Sequence, residues 1–364
     1  MIPLSKPLTD DSEIKNVMEV FKSGMLASGE WVSRFEDEFR EYVGTKYAVA
    51  TSNGTVALDI ALKALDIKEG DEVVVPDFTF IATANSVLFQ NALPIFADID
   101  EKSFNIDPDD VMSKITSKTR AIIGVHLFGH PFNVNAIKEI CEDHGLFLIE
   151  DCAQAHGAEY RGQKAGSFGD IGCFSFYATK NMTTGEGGMV TTSDEELKRR
   201  LGLIINHGQS QKYLHTSLGY NYRMTNIQAA VGVAQLEKLN GFNAARIKNA
   251  EYLNSHLKVP GLITPFKGDN VKHVYHQYVV KIEDSFPMKR DAFVEHLFKQ
   301  GIGSAIHYPY PIHLQPLYQK LGYDEDQCSI SAEASKTVLS LPVSPASTVE
   351  DMKHISQKIN LLEE

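Results

Sequence analysis

Short, continuously apolar runs punctuate the first half of the chain: Val73-Val74-Val75, Pro94-Ile95-Phe96-Ala97, Ala121-Ile122-Ile123-Gly124-Val125 and Leu146-Phe147-Leu148-Ile149. Between them lie breaker-free stretches of helical character, Ala82–Leu88, Pro108–Ile115 and Val134–His144. Strands apolar on both faces, alternating with helices, predict a mostly parallel sheet covered on both sides. Upstream, Ile14, Val17, Met18 and Phe21 recur at helical spacing as far as Gly24, and a second helix is predicted over Val32–Tyr42. The stretch Tyr47–Thr55 reads as a short strand that breaks at Asn53-Gly54, and Val56–Leu65 as the helix after it. Strand, glycine turn and helix leave free backbone N–H groups and a positive dipole end at Gly54 and Thr55, where an anion belongs. A plain turn with Thr55 as N-cap is the other reading.

Further on, Ser193–Ile205 reads as a helix, and a polar loop runs from Asn206-His207-Gly208 to Tyr220-Asn221-Tyr222-Arg223. Thr225 and Gln228 form a capping box for a helix through Ile227, Val231 and Ala234. The texture changes near Gly241: a long helix over Ala244–Leu257, an alternating, antiparallel-type strand over Tyr275–Ile282, and helices over Lys289–Gln300 and Val349–Leu362. The expectation is an α/β chain, with residues 1–240 as a large domain and 241–364 as a smaller α+β domain.

A hydrophobic fraction of 43% with 23% charged residues is that of an ordinary globular protein, and the net charge of -12 argues against a nucleic-acid or anionic-membrane partner. Cys141, Cys152, Cys173 and Cys328 form no CxxC pair and read as free thiols of a reducing compartment. No stretch has the roughly 20 apolar residues of a membrane span, and the first residues lack the pattern of a signal peptide. A cytoplasmic location is expected.

Candidate chemistry centres on the run Gly172–Met189, in which Lys180 follows aromatic residues and precedes Gly185-Glu186-Gly187-Gly188. A lysine in such surroundings can lose its charge by desolvation and act as an amine nucleophile. An exposed lysine in a loop is the plainer reading. Asp151, with Glu150, stands at the carboxyl end of the strand Leu146–Ile149, where ligands gather in α/β sheets. An anion-binding turn, an acid at a strand end and a buried amine are together what pyridoxal phosphate requires: donors for its phosphate, a carboxylate for its ring nitrogen, and an amine for its aldehyde. Taken without that constellation, Phe80 reads as core within Phe78-Thr79-Phe80-Ile81, and Gln154 and His156 as hydrogen-bonded polar core residues.

Nearly the whole chain resembles the pyridoxal phosphate-dependent nucleotide-sugar aminotransferases of the DegT/DnrJ/StrS type. The resemblance rests on Ser52–Thr55, Glu150–Ala158, Phe174–Asn181, Gly185–Gly188 and Gly219–Met224. It implies an aspartate-aminotransferase-type fold (fold type I) and a homodimer with active sites at the subunit interface. It further implies that Lys180 carries the cofactor and Asp151 pairs with the pyridinium nitrogen. Gly54, Thr55 and Ser175 would hold the phosphate, Phe80 would stack on the ring with Ala153 behind it, and Gln154 would lie near the phenolic oxygen. Asn221 would reach the partner subunit's phosphate. The glycines after Lys180 become backbone passing close to the cofactor or to the neighbouring subunit.

The reaction expected is transfer of an amino group, from glutamate, to a keto-sugar carried on a nucleotide. Arg223 is a candidate clamp for the donor carboxylate or the diphosphate, with an ion pair at a surface or interface as its alternative. His307, Tyr308 and His313 resemble the family's substrate-side loop. Two histidines six residues apart with no acid or cysteine at ligand spacing do not make a metal site. Relatives that dehydrate sugars carry His at the position of Lys180, which sets this chain apart from them. A transaminase of a non-sugar acceptor such as an inosose, or a non-catalytic cofactor-binding regulator, are the rival readings.

Overall fold

The computed structural model describes residues 1–362; the last two residues of the expected second domain lie outside it. Helices α1 (Asp11–Ser23) and α2 (Glu30–Val43) come first. α2 buries Val32, Phe35, Phe39 and Val43, the single apolar stripe of an amphipathic helix. Then follow β1 (Tyr47–Thr51), α3 (Gly54–Ala64), β2 (Glu72–Pro76), α4 (Ala82–Leu88), β3 (Leu93–Ala97), α5 (Pro108–Lys114), β4 (Thr119–Val125), α6 (Val134–His144) and β5 (Phe147–Asp151). The two-residue strands β6 (Glu159–Tyr160) and β7 (Gln163–Lys164) precede β8 (Ile171–Ser175) and β9 (Gly188–Thr192).

Seven of these strands make one sheet in the order β1-β9-β8-β5-β4-β2-β3. The five from β8 to β3 run parallel, and β9 is antiparallel to both its neighbours. Alternation along the strands divides the core in two. Val74, Ile122 and Leu148 pack with Phe39, Phe132 and Ile137, whereas Val73, Val75, Ile123 and Ile149 pack against Ile60 and Leu62 of α3. Both faces are covered, which is why the strands read as unbroken apolar runs.

After α7 (Glu195–Ile205) and the hairpin β10 (Gln209–Gln211)/β11 (Leu214–His215), α8 (Asn226–His256) runs for 31 residues, capped by the Thr225–Gln228 box. It does not break at Gly241. A glycine inside a helix costs only about 1 kcal/mol, too little to end one that is packed along both halves. The first half of α8 (Ala229, Val233, Leu236) joins the sheet core, and the second (Ala250, Leu253) joins the core of the C-terminal lobe. There, β12 (Leu262–Ile263), β14 (Tyr278–Ile282) and β15 (Val338–Leu341) form an antiparallel sheet in the order β12-β14-β15, while β13 (Val271–Lys272) pairs with β6. Helices α9 (Arg290–Lys299) and α12 (Val349–Asn360) pack beside that sheet. The intervening α10 (Pro316–Lys320) and α11 (Ser329–Thr337) bracket a return to the large lobe, because Ile312, Tyr318 and Cys328 share the core of Ile60 and Val75. The division at 240/241 thus follows chain order more than packing. Among the described residues no helix is long and apolar enough to cross a membrane.

Candidate active site

Alternation at the end of β8 builds the lysine's surroundings. Phe174 and Phe176 turn inward, 4.9 to 5.4 Å from the rings of Phe35 and Phe39. Cys173, Ser175 and Tyr177 face a cavity of about 670 Å³ on the other side. The chain then turns, with Lys180 N–H donating to the Tyr177 carbonyl at 2.9 Å, and Lys180 joins the cavity lining. Burial holds its ammonium down to about 8, opposed by the nearby Asp151 carboxylate. The next residue, Asn181, is buried and anchored to Asn243 of α8 at 2.8 Å, so the lysine rests on a fixed turn.

Asp151 lines the same cavity from the end of β5. Its Oδ2 accepts from the Thr83 hydroxyl at 2.9 Å and its Oδ1 from the Ala153 N–H at 3.1 Å, which leaves acceptor capacity on both oxygens. Burial pushes its carboxyl up, against the pull of those two donors and of Lys180. Neighbouring Glu150 is engaged elsewhere. It accepts from the N–H groups of Gly166, Phe168 and Gly169 at 2.7 to 2.8 Å and meets His126 Nε2 at 2.8 Å, so its closeness to His126 and Cys152 is accounted for without a metal.

The third wall is the start of α3. Asn53, not Thr55, is the N-cap, its Oδ1 accepting from Val56 N–H at 2.9 Å. The N–H groups of Gly54 and Thr55 have no intrahelical acceptor, and both residues line the cavity. A Cβ on Gly54 would lie 2.5 Å from the Ser175 Cβ, so the absence of a side chain is what brings helix start and serine together. Gly54→Ala is expected to lower stability by about 1–3 kcal/mol by overpacking, read by urea unfolding. Gly188 meets the same turn, since a Cβ there would lie 2.4 Å from the Asn53 carbonyl oxygen. Its close approach within the chain is to the Asn53 backbone, and Glu186 of the same run lines the cavity.

The C-terminal lobe supplies the roof with His276, Gln277, His307 and Tyr308. Gln154 bridges to it, accepting from Phe128 N–H at 2.7 Å and donating to the Tyr308 hydroxyl at 2.9 Å. His307 Nδ1 sits 2.8 Å from the Ser340 hydroxyl, and burial with the charge of Lys180 holds its imidazole down to about 4. Phe80, 54% exposed, projects into the cavity beside Tyr308, whereas Phe78, 1% exposed, is core. The core reading of Phe80 fails, and Phe78 is the residue of that run that is buried.

The DegT/DnrJ/EryC1/StrS aminotransferase family model matches residues 7–360. The chain belongs to this family. It is 39% identical to a UDP-N-acetyl-3-dehydro-alpha-D-glucosamine 3-aminotransferase of Acidithiobacillus ferrooxidans, over 97% of this chain and 94% of the relative. It is 37% identical to a GDP-perosamine synthase of Vibrio cholerae, over 98% and 97%. Among solved structures, the PLP form of the putative sugar aminotransferase Spr1654 of Streptococcus pneumoniae superposes with a TM-score of 0.94 at 27% identity, covering 100% of this chain and 98% of that one.

In this aminotransferase Gly54, Thr55, Phe80, Asp151, Ala153, Gln154, Ser175, Lys180, His307 and Tyr308 converge on one cavity. Asn221 and Arg223 do not line it. Asn221 is exposed in a bridge to Asn206, and Arg223 donates to the Asn206 Oδ1 at 2.7 Å. His313 is the clear correction: it is fully buried, with Nδ1 2.6 Å from Asp77 Oδ2 and its N–H on Asp77 Oδ1. It pins the substrate-side loop to the end of β2 and cannot touch a ligand. His313→Ala is expected to cost about 3 kcal/mol, because the buried Asp77 loses its partner, with KM unchanged in a steady-state assay. Thr83 and His276 are site residues for which the sequence carried no local signal, and Glu186 lies in the glycine run after Lys180 but was assigned no role.

Proposed function

We propose that this pyridoxal 5′-phosphate-dependent aminotransferase moves an amino group from glutamate to a keto-sugar carried on a nucleotide. The observation that carries the reading is the placement of Lys180, Asp151 and the α3 start around one cavity. Its volume, about 670 Å³, leaves space beyond the cofactor for a second ligand. The residues suit the cofactor on their own chemistry: an amine with no ion-pair partner among the described residues, a buried carboxylate with spare lone pairs, and a glycine cradle at a helix start.

Bound there, pyridoxal 5′-phosphate supplies an aldehyde that exchanges between amines and a ring that accepts a carbon's electron pair. Gly54 and Thr55 N–H groups and the Ser175 hydroxyl would hold the phosphate. Asp151 would hold the ring nitrogen protonated, Phe80 and Ala153 would hold the ring, and Gln154 would meet its phenolic oxygen. Lys180 would carry the cofactor, and its amine, when free, would act as the base that takes the proton from the substrate carbon and delivers it to the former aldehyde carbon across the intervening nitrogen.

Charge supports the homodimer expected for the site. Besides the two neutral histidines, Tyr177, Tyr308 and the Cys173 thiol, which burial pushes up, the ionisable lining groups are Lys180, Asp151 and Glu186, one cation against two anions. A phosphate, a diphosphate and donor carboxylates need more positive charge than that. We assign the missing donors to a second copy, with Asn221 and Arg223 on its exposed loop reaching across.

The test combines cofactor-loaded protein, glutamate and keto-sugars on UDP, GDP or dTDP, with products followed by mass. An aminated nucleotide sugar and 2-oxoglutarate in equal amounts are expected. Turnover with an inosose and with none of the nucleotide keto-sugars would replace this reading.

A further inference from the structure

Behind Lys180 a series of hydrogen bonds fixes one imidazole. Asn243 donates from Nδ2 to the His156 carbonyl at 2.7 Å, and its Oδ1 accepts from Asn181 Nδ2 at 2.8 Å. The same Asn181 Nδ2 lies 3.3 Å from the Val274 carbonyl. Carbonyls only accept, so each amide has one workable orientation. Asn181 Oδ1 therefore faces His276 Nδ1, at 3.1 Å, and the imidazole hydrogen must sit on Nδ1. Nε2 is left as a lone pair.

His276 is only 6% exposed, yet it lines the cavity beside Gln277 and Lys180. Among the described residues nothing donates to its Nε2, and that atom is not sealed from the cavity. Burial and the charges of Lys180 and Arg246, whose guanidinium donates to the Tyr275 and His276 carbonyls at 3.3 Å, hold the ring well below the usual histidine range. It stays neutral and cannot turn donor there.

We propose that His276 Nε2 accepts a hydrogen bond from a sugar hydroxyl of the acceptor and so sets how the sugar lies over Lys180. The proposal rests on the nucleotide-sugar reading above. A carboxylate or phosphate is excluded from that position, because it would meet lone pair with lone pair. The buried acceptor also disfavours a ligand that lacks the hydroxyl, since the lone pair would go unmet.

Calorimetry on the cofactor-loaded protein without amino donor tests it, with UDP-N-acetylglucosamine, GDP-mannose and dTDP-glucose as probes, each beside its own nucleoside diphosphate. His276→Phe is expected to weaken the sugar nucleotide that binds by about three- to tenfold and the matching diphosphate by less than about twofold, with His276→Gln recovering most of the loss. The diphosphate arm reports intact folding; should the Phe variant not fold, His276→Leu, which carries no acceptor, makes the same comparison. Unchanged sugar-nucleotide binding, or equal weakening of both ligands, overturns the proposal alone. Wild-type protein that binds none of the three sugar nucleotides overturns the substrate reading and the proposal with it.

Discussion

Lys180→Ala is expected to cut amino-group transfer by roughly 10⁴-fold, the upper end of what one positioned proton carrier supplies, and Lys180→Arg is expected to do no better. Arginine keeps a positive charge beside Asp151 but cannot give up its proton, so equal losses assign the effect to the free amine and not to electrostatics. The amine is available because burial holds the ammonium down to about 8, from the usual lysine value of 10.5. A lowered value means the neutral form dominates above about 8. In cofactor-free protein, labelling of Lys180 by an amine-reactive reagent should therefore rise with pH through a midpoint of about 8, as read by mass spectrometry of its peptide. A midpoint at the usual 10.5 would remove the physical basis for a nucleophilic lysine, and full turnover by Lys180→Ala would end the transferase reading.

How much of this was legible in the sequence depends on how local each feature is. β2 to β5 were readable because strands covered on both faces are apolar at every position. Asp151 followed, since it stands at the end of such a strand, whereas the role of Ser175 came only from the resemblance. The Gly54 cradle was visible as strand, glycine and helix, although the cap proved to be Asn53. Phe80 was legible only through the resemblance and not from its pattern, because the bend ahead of α4 sends Phe78 and Phe80 to different environments within one apolar run. Thr83 reaches Asp151 from 68 residues away, and His313 finds Asp77 across 236. No local pattern encodes such pairings. Gly241 misled for the opposite reason, because the packing on either side of it outweighs a glycine's small helical penalty.

Asp151→Asn should change stability in opposite directions with and without cofactor, which separates a cofactor partner from a structural acid. In the cofactor-free chain, burial holds the Asp151 carboxyl above its usual 3.8, with Thr83 and Ala153 pulling the other way. A raised folded-state value gives stability that is complete below 3.8 and lost as pH rises through the folded value, so at pH 7 the ionised acid is a burden to the folded chain. Asparagine has the same shape, can still accept from Ala153 N–H and carries no charge. Cofactor-free Asp151→Asn is thus expected to melt at the same temperature as the wild type or higher. The loaded form should behave inversely, because a cationic ring nitrogen loses its buried counter-charge, at a cost of about 3–5 kcal/mol. That corresponds to a fall of roughly 10²–10⁴-fold in transfer rate. Melting curves of both forms with and without cofactor check the sign, and the glutamate half-reaction followed by absorbance checks the rate. If the substitution lowered the melting temperature of both forms by the same amount, Asp151 would be holding the sheet end together and the ring nitrogen's partner would have to be sought elsewhere.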